Sequence, residues 1–216
     1  MTLTVIILTK NEELHIERAM ASVAEVADRC IVVDSGSTDA TIALAKSFGA
    51  DILEKNWVNY ATQFNWALDQ LGPETQWVLR LDADEIVTDE LRTEINTVLP
   101  TLGPDIAGVY VSRRMAFLGR RIKWGGVFPL RVMRLFRHGH GQCENRWMDE
   151  HIIASGPAVD FVGEIIDDNR NSLSWWTEKH NAYASREVVD LLSLEFGFAQ
   201  ADSVANVGQR SQASVK

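Results

Sequence analysis

The first hundred residues alternate short aliphatic runs with segments of helical period, and this alternation restricts the possible folds more than any other feature. Thr4 to Leu8 reads as a buried strand, followed by the polar turn Thr9-Lys10-Asn11-Glu12 and a helix with Ile16, Ala19, Met20 and Val23 on one face. Cys30 to Val33 predicts a second strand. It runs into Asp34-Ser35-Gly36-Ser37-Thr38-Asp39, a cluster of turn formers and N-caps, ahead of a helix carrying Ile42, Ala45 and Phe48. Ile52-Leu53 reads as a short strand, and Ala61, Phe64, Leu68 and Leu71 mark a helix stopped by Gly72-Pro73. Trp77 to Leu81 is a further strand, which enters Asp82-Ala83-Asp84-Glu85. Thr88 then caps a helix buried through Leu91, Ile95 and Val98. Repeated βα units of this kind predict an α/β fold with a mostly parallel sheet flanked by helices.

Beyond Pro100 the period no longer fixes a topology. Ala107 to Val111 and Leu130 to Phe136 read as strands, Phe117 to Pro129 is rich in glycine, aromatics and arginine, and Trp175 to Leu194 reads as a last helix. The polar stretch from Ala201 is expected to fray. With 216 residues, 46% of them hydrophobic, the chain can bury a sizeable core, which excludes disorder and a disulfide-stapled miniprotein. Cys30 and Cys143 lie far apart with no metal-ligand spacing, so both are expected as reduced, structural thiols. Val5 to Leu8, the longest aliphatic run near the start, is too short to span a membrane and lacks a charged leader, so a cytoplasmic location is expected.

A net charge of −9 argues against a general nucleic-acid binder. The basic residues are nevertheless concentrated: Arg113, Arg114, Arg120, Arg121, Lys123, Arg131, Arg134 and Arg137 fall in a window without a single Asp or Glu. Such a segment in an acidic chain suits a localised anion, although charge runs are also ordinary solvated faces.

Three polar clusters, Thr9 to Glu13, Asp34 to Asp39 and Asp82 to Glu85, each follow a predicted parallel strand. In open α/β sheets the ligand crevice lies at the carboxyl ends of the strands, so the three should converge. Asp82 and Asp84, one residue apart, could share Mg²⁺ or Mn²⁺ with diphosphate oxygens, because these ions take one or two protein carboxylates and fill the shell with phosphate and water. The alternative is an acidic turn that favours a helix N-terminus. No strand is followed by GxGxxG or GxxxxGK, which disfavours a dinucleotide enzyme or a P-loop NTPase.

Val5-Ile6-Ile7-Leu8-Thr9-Lys10-Asn11-Glu12-Glu13, Val32-Val33-Asp34-Ser35-Gly36-Ser37-Thr38-Asp39 and Leu81-Asp82-Ala83-Asp84-Glu85 resemble, in order and spacing, the successive signatures of family 2 glycosyltransferases of the GT-A fold. Trp147-Met148-Asp149-Glu150-His151 and Trp175-Trp176-Thr177-Glu178-Lys179-His180-Asn181 resemble the bacterial lipopolysaccharide-core β-glucosyltransferase branch. The resemblance covers residues 1 to about 190 and implies a single GT-A domain over 1–200, with a nucleotide-sugar half (1–100), an acceptor half (101–200) and a flexible tail (201–216).

The same resemblance implies a metal-dependent, inverting transfer of a sugar from a nucleoside-diphosphate donor, commonly a UDP-sugar, to a hydroxyl of a lipid-linked or oligosaccharide acceptor. Thr9, Glu12 and Gln63 would line the nucleotide, Asp34 would hydrogen-bond the base, and Asp82 would sit near ribose or sugar. Asp84, with Asp82 and His151, would hold Mg²⁺ or Mn²⁺. Gln63 and Asn65 stand where many relatives carry an Arg-Asn pair. Glu150 or Asp149 would be the general base, and the order of that pair is reversed from the family's Glu-Asp. Arg131 or Arg134 would meet phosphate. Trp175, Trp176 and Tyr183 are expected in a core or stacked on sugar, with peripheral contact to the inner face of a membrane open. The competing classes are a noncatalytic nucleotide-sugar or glycan binder, and a sugar nucleotidylyltransferase, whose Gly-rich N-terminal loop is missing here.

Overall fold

The computed structural model describes residues 1–125, 128–144 and 150–196. Residues 1–144 and 151–170 form one compact unit; residue 150 and the described residues from 171 onward belong to a second. The first unit is built on a nine-stranded sheet. Its order is β3 (Asp51–Glu54), β2 (Arg29–Asp34), β1 (Leu3–Thr9), β4 (Trp77–Asp82), β8 (Leu130–Arg137), β6 (Gly108–Phe117), β11 (Ala158–Asp167) and β5 (Glu85–Val87). A short β7 (Arg120–Arg121) pairs with β6, and β9 (Gly141–Cys143) with β10 (Ile152–Ala154) makes a separate ribbon.

Strands β3, β2, β1 and β4 are parallel, as the βα alternation requires. The rest of the sheet is mixed: β8 is antiparallel to β4 and β6, β11 is parallel to β6, and β5 is antiparallel to β11. Parallelism is therefore a property of the regular half. A division near residue 100 has no counterpart in the sheet, because β4–β8 and β5–β11 join the halves edge to edge.

Period-2 burial splits each central strand between two cores. Leu3, Val5 and Ile7 of β1, with Trp77, Leu79 and Leu81 of β4, pack with Ile16, Met20 and Val23 of α1 (Ile16–Val23), Ala45 of α2 (Thr41–Ser47) and Leu91 and Ile95 of α4 (Asp89–Thr97). Ile6, Ile31 and Val78 face the other way, onto Ala61, Phe64 and Ala67 of α3 (Tyr60–Leu68) and Cys143 and Ile152 of the ribbon. Strands buried on both faces read as the continuous apolar runs that the sequence displays, and each fully buried Leu or Ile contributes about 1.5–3 kcal/mol.

The helices follow the expected faces with two departures: Phe48 is 39% exposed, with Thr41 and Ala45 filling the buried stripe of α2 instead, and Val98, the C-cap beyond the end of α4, is 38% exposed. The cap of α2 also differs. Ala40 is the N-cap, and Asp39 serves Thr41 N from one residue earlier. Thr88 accepts from Leu91 N, as its position predicts. Both cysteines are free, and burial, followed by the Asp51 charge, pushes the Cys30 thiol up to about 11, which keeps it unreactive. A last helix, α5 (Leu173–Phe196), lies in the second unit. No helix among the described residues is long and apolar enough to cross a membrane.

The closest approach of helix and sheet fixes β11. Its pairing with β6 shifts register between Asp160 and Glu164, and the free amides of Val162 and Gly163 donate to Glu94 of α4 at 3.0 and 2.7 Å. A Cβ at Gly163 would lie 2.4 Å from the Leu91 backbone. Gly163→Ala should therefore cost about 2–3 kcal/mol in urea denaturation through overpacking. Gly49→Ala, at φ +80° in open space, should cost only the left-handed strain of about 1 kcal/mol. Equal losses would show that the α4–β11 approach yields freely.

Candidate active site

Parallel register sets Thr9 level with Asp34 and Leu8 level with Asp82, so the polar residues after β1, β2 and β4 emerge at one edge of the sheet. Asp34 is fully buried. Its Oδ1 accepts from Thr9 Oγ1 at 2.9 Å and from the Ser37 hydroxyl at 2.5 Å, while Oδ2 accepts from the amides of Gly36 and Ser37 at 2.8 and 2.7 Å. Asp34 thus holds the 35–37 loop in shape, and the loop, more than the carboxylate, faces outward. Asn11 (φ +56°) crosses to the same loop, its amide donating to Ser37 Oγ and its side-chain oxygen accepting from Thr38 N.

Glu12 is held from behind. Its Oε2 lies 2.7 Å from Nδ1 of His15, a side chain only 1% exposed, and His15 Nε2 accepts from the Arg170 amide at 2.9 Å. The Nε2 contact leaves the ring proton on Nδ1, donated to Glu12. Arg18 bonds both the Asp168 side chain and its carbonyl, which ties α1 to the turn after β11 a second time.

Around Asp82 the structure builds a buried ionic network. Tyr60 Oη donates to Asp82 Oδ1 at 2.6 Å and accepts from Arg80 Nε at 2.8 Å. Arg134 Nη2 bonds Asp82 Oδ2 at 3.0 Å and also Glu85 Oε1. Glu85 Oε2 closes the ring by accepting from Asp82 N at 3.0 Å. Arg80, Glu85 and Arg134 are buried, whereas the Asp82 side chain keeps 27% of its surface open. Burial alone would raise the Asp82 carboxyl, but the guanidinium groups of Arg134 and Arg80 outweigh it and hold the group well below the usual carboxylate range. Glu85 goes the other way: burial, only partly offset by Arg134, pushes it up to about 7. Asp82 is thereby a fixed anion with lone pairs left for a ligand's hydroxyls.

Asp84 stands apart from that network. Its Oδ2 accepts from Asn169 at 2.8 Å and its carbonyl from the Asp168 amide at 3.0 Å. Asp167, 3.4 Å from Arg113, is pushed up to about 6 by burial and then by the Asp84 charge. The Asp84 charge beside Asp167 makes a place where a divalent cation would relieve repulsion.

Several expected members of the site are placed elsewhere. The set Asp82, Asp84 and His151 is not assembled: among the described residues no three His, Cys, Asp or Glu side chains form a metal-holding group. Asp82 is committed to Arg134 and Tyr60, and His151 Nδ1 pairs with Glu144 at 2.7 Å. Arg134 is 3% exposed, with the carboxylates of Asp82 and Glu85 on it, so it supports the site instead of meeting phosphate. Arg131 pairs with Asp160 and lies over the Tyr110 ring, away from the acidic cluster. Gln63 donates to Ser35 Oγ and Lys55 O, and Asn65 clamps Cys143 through two 2.8 Å bonds. The buried Gln63 Oε1 has no partner among the described residues. Asp149 lies outside the described residues, as do Trp147 and Met148, and Glu150 belongs to the second unit.

Tyr60, Arg80, His15 and Asp167 were not singled out in the sequence, and Glu85 only as part of the cluster Asp82 to Glu85. Arg80 carried a usable signal, since it is the one arginine inside the otherwise apolar run of β4, and such a charge is buried only when paired.

Comparison with known proteins identifies the family. Residues 4–156 match the family model described as glycosyl transferase family 2. An uncharacterized glycosyltransferase of Rickettsia felis is 39% identical over 86% of this chain and 69% of its own length. The lipopolysaccharide core biosynthesis glycosyltransferase LpsC of Rhizobium meliloti is 32% identical over 71% of this chain and 58% of its own. Against several of these curated relatives the chain spans two thirds of their length or less. Among solved structures, residues 1–349 of S. aureus TarS align over 64% of this chain and 48% of that one, at 19% identity and a TM-score of 0.49. With more than half of its length matched by the family model, the chain belongs to glycosyl transferase family 2.

Proposed function

We propose that this chain transfers a sugar, with inversion, from a nucleoside-diphosphate donor, a UDP-sugar in the first instance, to a hydroxyl of a lipopolysaccharide-core or related surface-glycan acceptor. The observation that carries the reading is the convergence of Thr9, the Asp34 loop, Asp82 and Asp84 at the carboxyl edge of four parallel strands in a family 2 chain. The acceptor class rests on the likeness to LpsC.

Glu12 and the 35–37 loop line the nucleotide, with the buried Thr9 and Gln63 supporting that loop from behind through Asp34 and Ser35. Asp82, kept ionised by Arg134 and Arg80, accepts from hydroxyls of ribose or sugar and orients them. Asp84 fits Mg²⁺ or Mn²⁺: it is partly exposed, crowded by Asp167, and such ions need only one or two protein carboxylates. Asp82 and His151 are not grouped with it, since no three such side chains form a metal-holding group among the described residues. When bound, the cation supplies charge stabilisation to the leaving diphosphate. The proton of the attacking hydroxyl goes to Glu150, or to Asp149, the pair the family resemblance puts forward as the base.

Three outcomes test this. Asp84→Asn should keep the fold and abolish the Mn²⁺-dependent rise in melting temperature given by nucleotide sugars; a rise that persists in chelator removes the metal from the proposal. Free nucleoside diphosphate, not pyrophosphate, should be the product. Glu150→Gln should retain donor affinity while transfer falls roughly 10²-fold or more, and if Asp149→Asn alone does this, the base is Asp149.

A fourth outcome concerns pH. Because the folded-state value of Asp167 is raised, from 3.8 to about 6, its ionisation costs stability as pH rises through that interval. Asp167→Asn should be more stable than the parent at pH ~7.5, by up to about 3 kcal/mol, and equal to it below pH ~4. Saturating Mn²⁺ should shrink the difference at pH ~7.5, whereas a difference independent of pH would assign the effect to packing.

A further inference from the structure

The acid-free window of the sequence divides in two once it is folded. At the base of the β6–β7 hairpin the cations are neutralised internally: Arg113 pairs with Asp167, and Arg114 and Arg121 both pair with Glu164. Arg121 also covers the Phe128 ring. The tip is different. Arg120 and Lys123 are exposed and have no acidic partner among the described residues.

The apolar side chains at the tip are exposed as well. Phe117 pairs with Arg120 across the hairpin, leaving Leu118 and Gly119 as a two-residue turn with φ of +50° and +72°. Leucine in the left-handed region is strained, and Leu118 gains no packing in return, being 68% exposed. Trp124, three residues beyond the end of β7, is 85% exposed, the most of any tryptophan among the described residues. Nothing in the fold requires a leucine and a tryptophan in water on either side of two cations that have no acidic partner among the described residues.

We propose that this exposed part of the hairpin, with Leu118 and Arg120 at the turn and Lys123 and Trp124 in the stretch after β7, docks on the surface of an anionic lipid bilayer. Leucine and tryptophan enter the boundary between headgroups and acyl chains while the cations meet anionic headgroups. A free phosphate group would engage the cations but give Leu118 and Trp124 nothing to bury against. Charge also sets the orientation: a chain of net charge −9 is repelled from an anionic surface everywhere except through such a segment. The inference does not depend on the donor chemistry proposed above, and it would bring the protein to lipid-linked acceptors.

The test is flotation of the full chain with vesicles of phosphatidylethanolamine and phosphatidylglycerol, against vesicles of phosphatidylcholine alone, at low and high salt. Wild type should float with the anionic vesicles and be released by salt. Each cation near such a surface is worth about fivefold in partition, so Arg120→Ala/Lys123→Ala should weaken binding about 25-fold. Leu118→Ser/Trp124→Ser should also abolish flotation, and Trp57→Ser, which removes another exposed tryptophan, should not. A blue shift of emission on anionic vesicles should vanish in Trp124→Phe. Wild type that stays in solution, tip variants that float like the parent, or equal binding to phosphatidylcholine would each overturn the proposal. Nucleotide-sugar thermal shifts should be the same in tip variants and parent, which separates failure here from failure of the enzymatic reading.

Discussion

The sharing of one buried guanidinium, Arg134, between Asp82 and Glu85 is the contact on which the rest of the site depends. Asp82 ends β4, Glu85 begins β5 and Arg134 lies in β8, so the interaction closes the sheet edge where regular parallel strands meet the mixed half. Arg134 is the member least tolerant of loss, because two carboxylates share it as counter-charge, whereas loss of either carboxylate leaves it the other. Arg80 and Tyr60 extend the ring to α3, and the hydrogen bond from Tyr60 fixes the direction in which Asp82 presents its open side. The unequal effect on the two acids follows from position. Asp82, partly open and served by two guanidinium groups, stays ionised; Glu85, 1% exposed, carries the burial cost.

Each loop at the edge is held by a residue that does not itself project into solvent. Asp34 spends both oxygens on the 35–37 loop, His15 holds Glu12, and Gln63 props Ser35. Such support replaces what a glycine-rich phosphate loop does with backbone amides, and it is consistent with a donor diphosphate met by a cation at Asp84 instead of by a helix N-terminus. The cost is rigidity: side chains with both ends bonded lose their freedom on folding and not on binding, which favours tight orientation of the ligand.

Most of the first hundred residues were legible in the sequence because local and tertiary forces agree there. The apolar runs of β1, β2 and β4 are buried on both faces, and the turn chemistry of Asp34 to Asp39 matches its loop. The convergence of Thr9, Asp34 and Asp82 followed from strand direction alone. Beyond Pro100 the sequence showed two strands but not their partners, since β6, β8 and β11 are held by long-range pairing that no local period encodes. The roles of Arg131 and Arg134 were misread for a related reason. Net charge along a window says nothing about which arginine points inward, and alternation on β8 sends Arg134 to the buried carboxylates and Arg131 to Asp160.

Asp167 shows how the two halves become one site. It ends β11, a strand whose place in the sheet depends on the Glu94 carboxylate filling the bulge at Val162 and Gly163, and on register with β6 and β5. A shift of one residue along that ladder would turn Asp167 to the other face of the sheet and separate it from Asp84. The turn that follows is then fastened to α1 twice, by Arg18 on Asp168 and by His15 on the Arg170 amide, and to Asp84 through Asp168 and Asn169. Glu12, Asp84 and Asp167 come from segments far apart in sequence, yet these bonds make their separations interdependent. The charge around Asp84 is therefore set by the antiparallel half of the fold as much as by the acidic motif in which Asp84 lies.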